Sequence, residues 1–254
     1  MALGLRIIEP RWIAMARDRD IKPADRSAPA KGGGADVDRF LRQVAMATPR
    51  TGAGRGRLIF AMDATASREP SWDQACQIQG EMFTATDTLG GLEVQLVFYR
   101  GFGECRASPW VANSADLVRR MTAVRCLGGH TQIARVLSHA LQETRKKKVD
   151  AIVFVGDSIE EGVDDLAHLA GKLGILGVPV FVFHEGRDPV AAQGFRQIAK
   201  LSKGAYCAFD ANSADQLKEL LSAVAVYAAG GRAALEDYSG NRGGMVKLLT
   251  SAMK

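Results

Sequence analysis

The stretch "VDAIVFVGDSIEEG", residues 149–162, decides how the chain folds, because an apolar run of strand length stops there at Gly156, Asp157 and Ser158. Apolar runs this short, bounded by Gly, Pro or Asp, do not suit ordinary helices and read as strands buried on both faces. The same texture recurs in "RLIFAMD" (57–63), "LEVQLVFY" (92–99), "VPVFVFH" (178–184) and "AYCAF" (205–209). Between these runs lie "SWDQACQIQGEMFTATDTL", "TQIARVLSHALQETRKKK", "VDDLAHLAGKLGIL", "GFRQIAKLSK" and "NSADQLKELLSAVAVYAA", each with apolar residues at three-to-four spacing. Alternation of this kind predicts an α/β fold, a mostly parallel sheet covered by helices. No internal repeat is evident.

The rest of the chain sets the limits of that domain. Its 254 residues fit one medium domain with extensions, and 47% hydrophobic residues can build a sizeable core. Residues 1–56 hold "KPADRSAPAKGGGAD" and "TPRTGAGRGR" around the short amphipathic "DVDRFLRQVAMA", and read as a flexible arm with one small helix. The α/β domain is expected over 57–230 and a tail over 231–254, ending in a short helix at "MVKLLTSAMK". The formal charge of +5 is a mild excess, part of it in Arg6, Arg11, Arg17, Arg19, Arg26, Arg50, Arg55 and Arg57. It reads as solvated tail and surface charge and not as a nucleic-acid footprint. Cys76, Cys105, Cys126 and Cys207 form no C-x-x-C pair, so neither a zinc site nor a disulfide framework is expected. The N-terminus has no apolar core of signal-peptide length, and no run approaches the roughly 20 residues of a membrane span. A cytoplasmic protein is the expectation.

In an open parallel sheet, ligands bind beyond the carboxyl ends of the strands. After the 57–63 run comes "DATAS", which offers Asp63, Thr65 and Ser67 at alternate positions, and an extended loop can point all three the same way. Asp157 ends the 149–157 run, and "CLGGHTQIARVL" sets Thr131 after a Gly-Gly loop, just before a helix. Oxygen donors from three loops, without His or Cys, suit a hard divalent cation of the magnesium or manganese kind. Taken singly, Asp63 and Asp157 also suit helix N-caps, and Thr131 suits a cap for a helix starting at Gln132.

The set Asp63, Thr65, Ser67, Thr131, Asp157 resembles the metal-ion-dependent adhesion site (MIDAS) of the von Willebrand factor A (vWA) domain, written D-x-S/T-x-S, then a distant Thr, then a distant Asp. The resemblance covers residues 57–230. It departs from the commoner pattern at Thr65, where serine is usual, and keeps the hydroxyl there. The family implies a doubly wound, Rossmann-like six-stranded sheet in the order 3-2-1-4-5-6, with one antiparallel edge strand and flanking helices. It further implies Mg2+ or Mn2+ at the five residues and a partner protein whose carboxylate completes the ion's coordination. In bacteria, vWA proteins often work beside AAA+ ATPases or in metal-chelatase-like assemblies. The Ala-, Gly- and Arg-rich composition suits a high-GC bacterium, and with the cytoplasmic expectation above this makes it a bacterial cytoplasmic member of that kind.

Two hydrolase readings compete for the same residues. A GDS-type esterase would use Ser158 as nucleophile, with Asp165 and His168 in "DLAH"; but His168 is on the helix pattern that follows and does not turn back to Ser158. A haloacid-dehalogenase-type phosphatase would use Asp63 as nucleophile and Asp157 for magnesium; but Thr65 stands where most such enzymes carry a second acid, and no lysine motif is evident. His130 reads as a loop residue, and His139, His168 and His184 as structural or surface positions. The basic "RKKK" (145–148) closes a helix where positive charge suits the dipole.

Overall fold

The computed structural model describes residues 39–40, 42–44, 54–209 and 214–241. Its centre is a six-stranded sheet of β1 (Gly56–Asp63), β2 (Leu92–Arg100), β3 (Glu104–Ala107), β4 (Ala151–Gly156), β5 (Val180–Glu185) and β6 (Tyr206–Phe209), in the order β3-β2-β1-β4-β5-β6. All neighbours are parallel except β2 and β3, which pair antiparallel from Val97↔Ala107 to Arg100↔Glu104. The helices are α1 (Glu69–Ile78), α2 (Gly80–Thr84), α3 (Ser114–Thr122), α4 (Ile133–Lys146), α5 (Val163–Ile175), α6 (Pro189–Leu201) and α7 (Ala214–Asn241).

Side chains alternate across a strand, and this divides the core in two. Leu58, Phe60 and Met62 of β1 join Val153 and Val155 of β4 and Phe181 and Phe183 of β5 under α1, α2, α3 and α7. Ile59 and Ala61 join Ile152, Phe154, Val180 and Val182 under α4, α5 and α6. With both faces covered, the central strands must be apolar throughout, which is why they read as unbroken runs.

Several elements depart from the expectations. β3, "ECRA", is a charged, half-exposed edge strand, which no apolar run marks and which only the family resemblance implied. The expected helix over 71–89 is divided into α1, α2 and a 3-10 turn at Asp87–Leu89. The Thr86 hydroxyl donates to the Met82 and Phe83 carbonyls where the helical ladder ends, and Gly90 turns left-handed at φ 92°. The helix α3 lies in a stretch that none of the patterns above marks, and Asn113 caps it, with its side chain accepting from Asp116 N–H at 2.9 Å. Arg57, counted with the solvated arginines, is buried at the opposite end of β1 from Asp63, stacked 3.8 Å from the Trp110 ring centroid.

The expected border at 230 falls inside α7, which kinks at Gly231 (φ 72°, ψ −161°) and buries Leu235 beyond it. Phe40 and Val44, from the segment expected as an arm, are wholly buried, and the Phe40 ring lies 5.2 Å from Phe183 and 6.0 Å from Phe181. The rest of the expected arm before residue 54, and the expected tail helix at 245–254, lie outside the described residues. Among the described residues, no helix is long and apolar enough to cross a membrane.

Candidate metal centre

β1 and β4 are parallel neighbours, paired from Leu58↔Ala151 to Met62↔Val155. The chain leaves β1 toward α1 on one face and β4 toward α5 on the other, so a crevice opens between their carboxyl ends. A cleft of about 240 Å³ lies there, and its lining includes Asp63, Thr65, Ser67, Thr131 and Asp157, along with Gly128, Gly129, Ser158 and Glu160. The structure therefore brings together all five residues singled out in the sequence.

Each arrives by an identifiable local device. Asp63 closes β1, and its Oδ1 accepts from Thr65 N–H at 2.7 Å, bending the loop back over the strand end. The backbone is extended at Thr65. Ala66–Arg68 form a 3-10 turn, so Ser67 reaches the cleft by a turn and not by the simple alternation expected. Thr65 Oγ1 and Ser67 Oγ are 3.4 Å apart, and Ser67 Oγ donates to Asp157 Oδ2 at 3.2 Å, joining the first loop to the loop after β4. None of the three capping roles is adopted. The N-caps of α1, α4 and α5 are Arg68, Gln132 and Gly162.

The Thr131 loop is held by two residues that the sequence reading did not single out. Thr131 Oγ1 accepts from Glu160 N–H at 3.0 Å, while Thr131 N–H donates to Glu160 Oε2 at 3.0 Å. The same Glu160 oxygen is 2.8 Å from His130 Nδ1. Glu161 caps α4 from a distance: Ile133 N–H and Ala134 N–H donate to its carboxylate at 2.5 and 2.9 Å. The signal available was the pair of glutamates in "DSIEEG", but nothing local to it shows that they reach back to another loop. His184, buried at the end of β5, supports the Asp157 loop, with Nε2 3.2 Å from the Asp157 carbonyl and Nδ1 2.8 Å from the Tyr206 hydroxyl.

The electrostatics are those of a carboxylate pair short of positive charge. Burial pushes the Asp63 carboxyl above its ordinary range, and the negative charge of Asp157 adds to this; the Thr65 hydrogen bonds and the Arg68 charge oppose it. Arg68 is itself buried and paired with Glu185, which also accepts from the Ser71 hydroxyl. The Tyr99 hydroxyl is buried, and burial, then the Asp63 charge, pushes its ionisation well upward. Glu160 is held below its usual value by the Thr131 N–H and then by His130.

Among the described residues no group of three or more His, Cys, Asp or Glu is placed to hold an ion, so a cation here would draw on hydroxyl oxygens. Two carboxylates and three hydroxyls form a hard-donor set, and a divalent ion would relieve the mutual repulsion of Asp63 and Asp157. The residues fit such a cation.

No family model matches the chain, and no curated protein matches it in sequence. Solved structures do match its fold. Proximal thread matrix protein 1 from the mussel byssus, with a zinc-occupied MIDAS motif, superposes with a TM-score of 0.53 at 16% identity, covering 68% of this chain and 46% of its own. The SpRpn10 VWA domain gives 0.50 at 16% identity over 66% of this chain and 94% of that one. The vWF domain of the pilus tip protein Mfa5 from Porphyromonas gingivalis gives 0.54 at 11% identity over 69% and 95%. What they share with this chain is the von Willebrand factor A fold.

Proposed function

We propose that this von Willebrand factor A fold serves as a protein-interaction module which takes up Mg2+ or Mn2+ at Asp63, Thr65, Ser67, Thr131 and Asp157 and binds a carboxylate of a partner protein through it. The observation that supports the reading is the convergence of these side chains, from three separate loops, on one cleft beyond two neighbouring strands. The zinc-occupied motif of the mussel protein supports a divalent cation in this fold. Asp63 and Asp157 balance the charge of such an ion, and the neutral hydroxyls of Thr65, Ser67 and Thr131 add oxygen donors without further charge. The ion, when bound, supplies an electrophilic position open to an anionic oxygen. The family resemblance alone carries the proposed partner class, an AAA+ ATPase or chelatase-like complex, while the proposed bacterial, cytoplasmic setting rests on composition, the unpaired cysteines and the absence of an apolar signal-length run.

The hydrolase readings find less support. Ser158 lines the cleft, but His168 sits exposed on α5, and no lysine is among the lining residues to serve a phosphatase. The module is proposed to act by binding and not by catalysis.

Thermal melting with and without Mg2+ or Mn2+ tests the site. An ion bound only by the native state adds about 1.4 kcal/mol of stability at ten times its Kd. Asp63→Ala and Asp157→Ala are expected to abolish the metal-induced shift, and Ser158→Ala to keep it. An equal response in wild type and both aspartate variants would sink the site.

A further inference from the structure

The β2–β3 hairpin carries a phenylalanine that the fold does not use. Phe102, at its tip, is 84% exposed. Yet the backbone around it is firmly held: His130 N–H donates to the Gly101 carbonyl at 3.1 Å, Gln132 Nε2 to the Arg100 carbonyl at 3.2 Å, and Arg135 Nη1 to the Gly103 carbonyl at 2.5 Å. Gly101 is left-handed at φ 59°. A Cβ on Gly129 would lie 2.1 Å from the Gly101 carbonyl oxygen, so the hairpin and the Thr131 loop meet backbone to backbone. The result is that the Phe102 ring stands edge-on to the His130 ring, with centroids 5.1 Å apart. His130 in turn bonds Glu160 at the cleft wall.

A second apolar side chain borders the same wall. Leu127 is 48% exposed; its N–H donates to the Ala64 carbonyl at 3.0 Å, and Gly128, next in sequence, lines the cleft. Large apolar side chains exposed beside a polar cleft on a hydrogen-bonded backbone are typical of the anchors of protein interfaces. The cleft is smaller than the roughly 300–1,000 Å³ of ordinary small-molecule pockets, and its size suits one side chain of a partner instead.

Resting on the metal reading above, we infer that the partner presents a segment in which an acidic residue enters the cleft while a bulky apolar residue close to it in sequence packs on Phe102 and Leu127. The acidic group supplies the oxygen for the ion. The apolar group chooses among acidic segments, since a carboxylate alone would be recognised wherever it occurred. Phe102 is then a specificity-determining residue with no part in holding the ion.

The test is selection of a displayed random-peptide library on the full chain, in Mg2+ and again in chelator, followed by titration of the recovered peptides. The Mg2+-selected peptides should share Asp or Glu near a bulky apolar residue. Their affinity should fall about ten-fold or more in Phe102→Ser and recover in Phe102→Leu. The Mg2+-induced melting shift should be the same in wild type and both variants, because Phe102 is exposed and donates nothing to the ion. Metal-dependent peptides, lost in Asp157→Ala but indifferent to Phe102→Ser, would overturn this inference and leave the metal site standing. Peptides that bind equally in chelator, including basic ones paired directly with Asp63 and Asp157, would overturn both. An empty selection counts against the inference as well.

Discussion

Thr131 shows how one hydroxyl can serve the fold and the site separately. Its oxygen accepts from Glu160 N–H, and its own N–H donates to the Glu160 carboxylate, so Thr131 and the loop after β4 position each other. Loss of one such hydrogen bond costs roughly 1 kcal/mol. Thr131→Ala is therefore expected to lower stability by about that amount and to weaken carboxylate binding more than it weakens the metal-induced melting shift, because Asp63 and Asp157 still hold the ion's charge. Thr131→Ser, which keeps the oxygen, should be mild in both measurements. If Thr131→Ala leaves binding of a metal-dependent ligand unchanged, its hydroxyl belongs to the fold only.

At the scale of elements, the helical segment containing Phe40 and Val44 tests where the domain begins. Burying a whole aromatic ring against Phe181 and Phe183 stabilises the sheet face under α7. Truncating such a ring leaves a cavity as well as losing transfer energy, typically about 3–5 kcal/mol. Phe40→Ala should therefore lower the urea midpoint by a corresponding amount with little change in slope, whereas a solvated arm would predict no effect. The same scale explains the spacing of the site. The loops after β1 and β4 converge because their strands are neighbours, and the loop before α4 joins them because Glu160 and Glu161 clamp it.

For the whole molecule, the half-buried His139 and the buried His184 give stability a pH dependence that can be read directly. Burial lowers the affinity of His139 and His184 for a proton below the ordinary 6.5. Below that pH the unfolded chain binds protons that the folded chain refuses, so their contribution is complete above pH 6.5 and is lost as pH falls below it. His139 Nε2 donates to Gln95 Oε1 at 2.8 Å, and Glu143 and Lys146 are the charges facing it. His139→Gln should reduce the acid sensitivity, measured by urea denaturation above and below that pH. Asp63 acts with the opposite sign. Its raised pKa means that stability falls as pH rises above the ordinary carboxylate value, until a cation compensates the buried charge. Added Mg2+ should therefore stabilise the chain more at neutral pH than in acid, where the carboxylates are protonated and cannot hold it.

The central strands and the order of the oxygen donors were legible in the sequence for one physical reason: both are local. A strand buried on both faces must be apolar throughout, as in "RLIFAMD" and "AIVFVG", and a donor at its carboxyl end has only one place to go. Local periodicity holds no record of contacts made across distance. Glu160 and Glu161 bond to residues about 30 positions earlier, from Thr131 to Ala134. Phe40 finds its partners more than a hundred residues away in β5. Arg57 looked like one more solvated arginine until the fold stacked it on Trp110. The charged edge strand β3 has no apolar run to announce it, because only β2 pairs with it among the strands of the sheet. The sequence by itself determined a mostly parallel sheet covered by helices and oxygen donors at the carboxyl ends of its strands, and the family resemblance added the doubly wound order. Tertiary structure alone decided which loops clamp the crevice at those ends and which exposed ring stands beside it, since both depend on hydrogen bonds and packing between segments far apart in the chain.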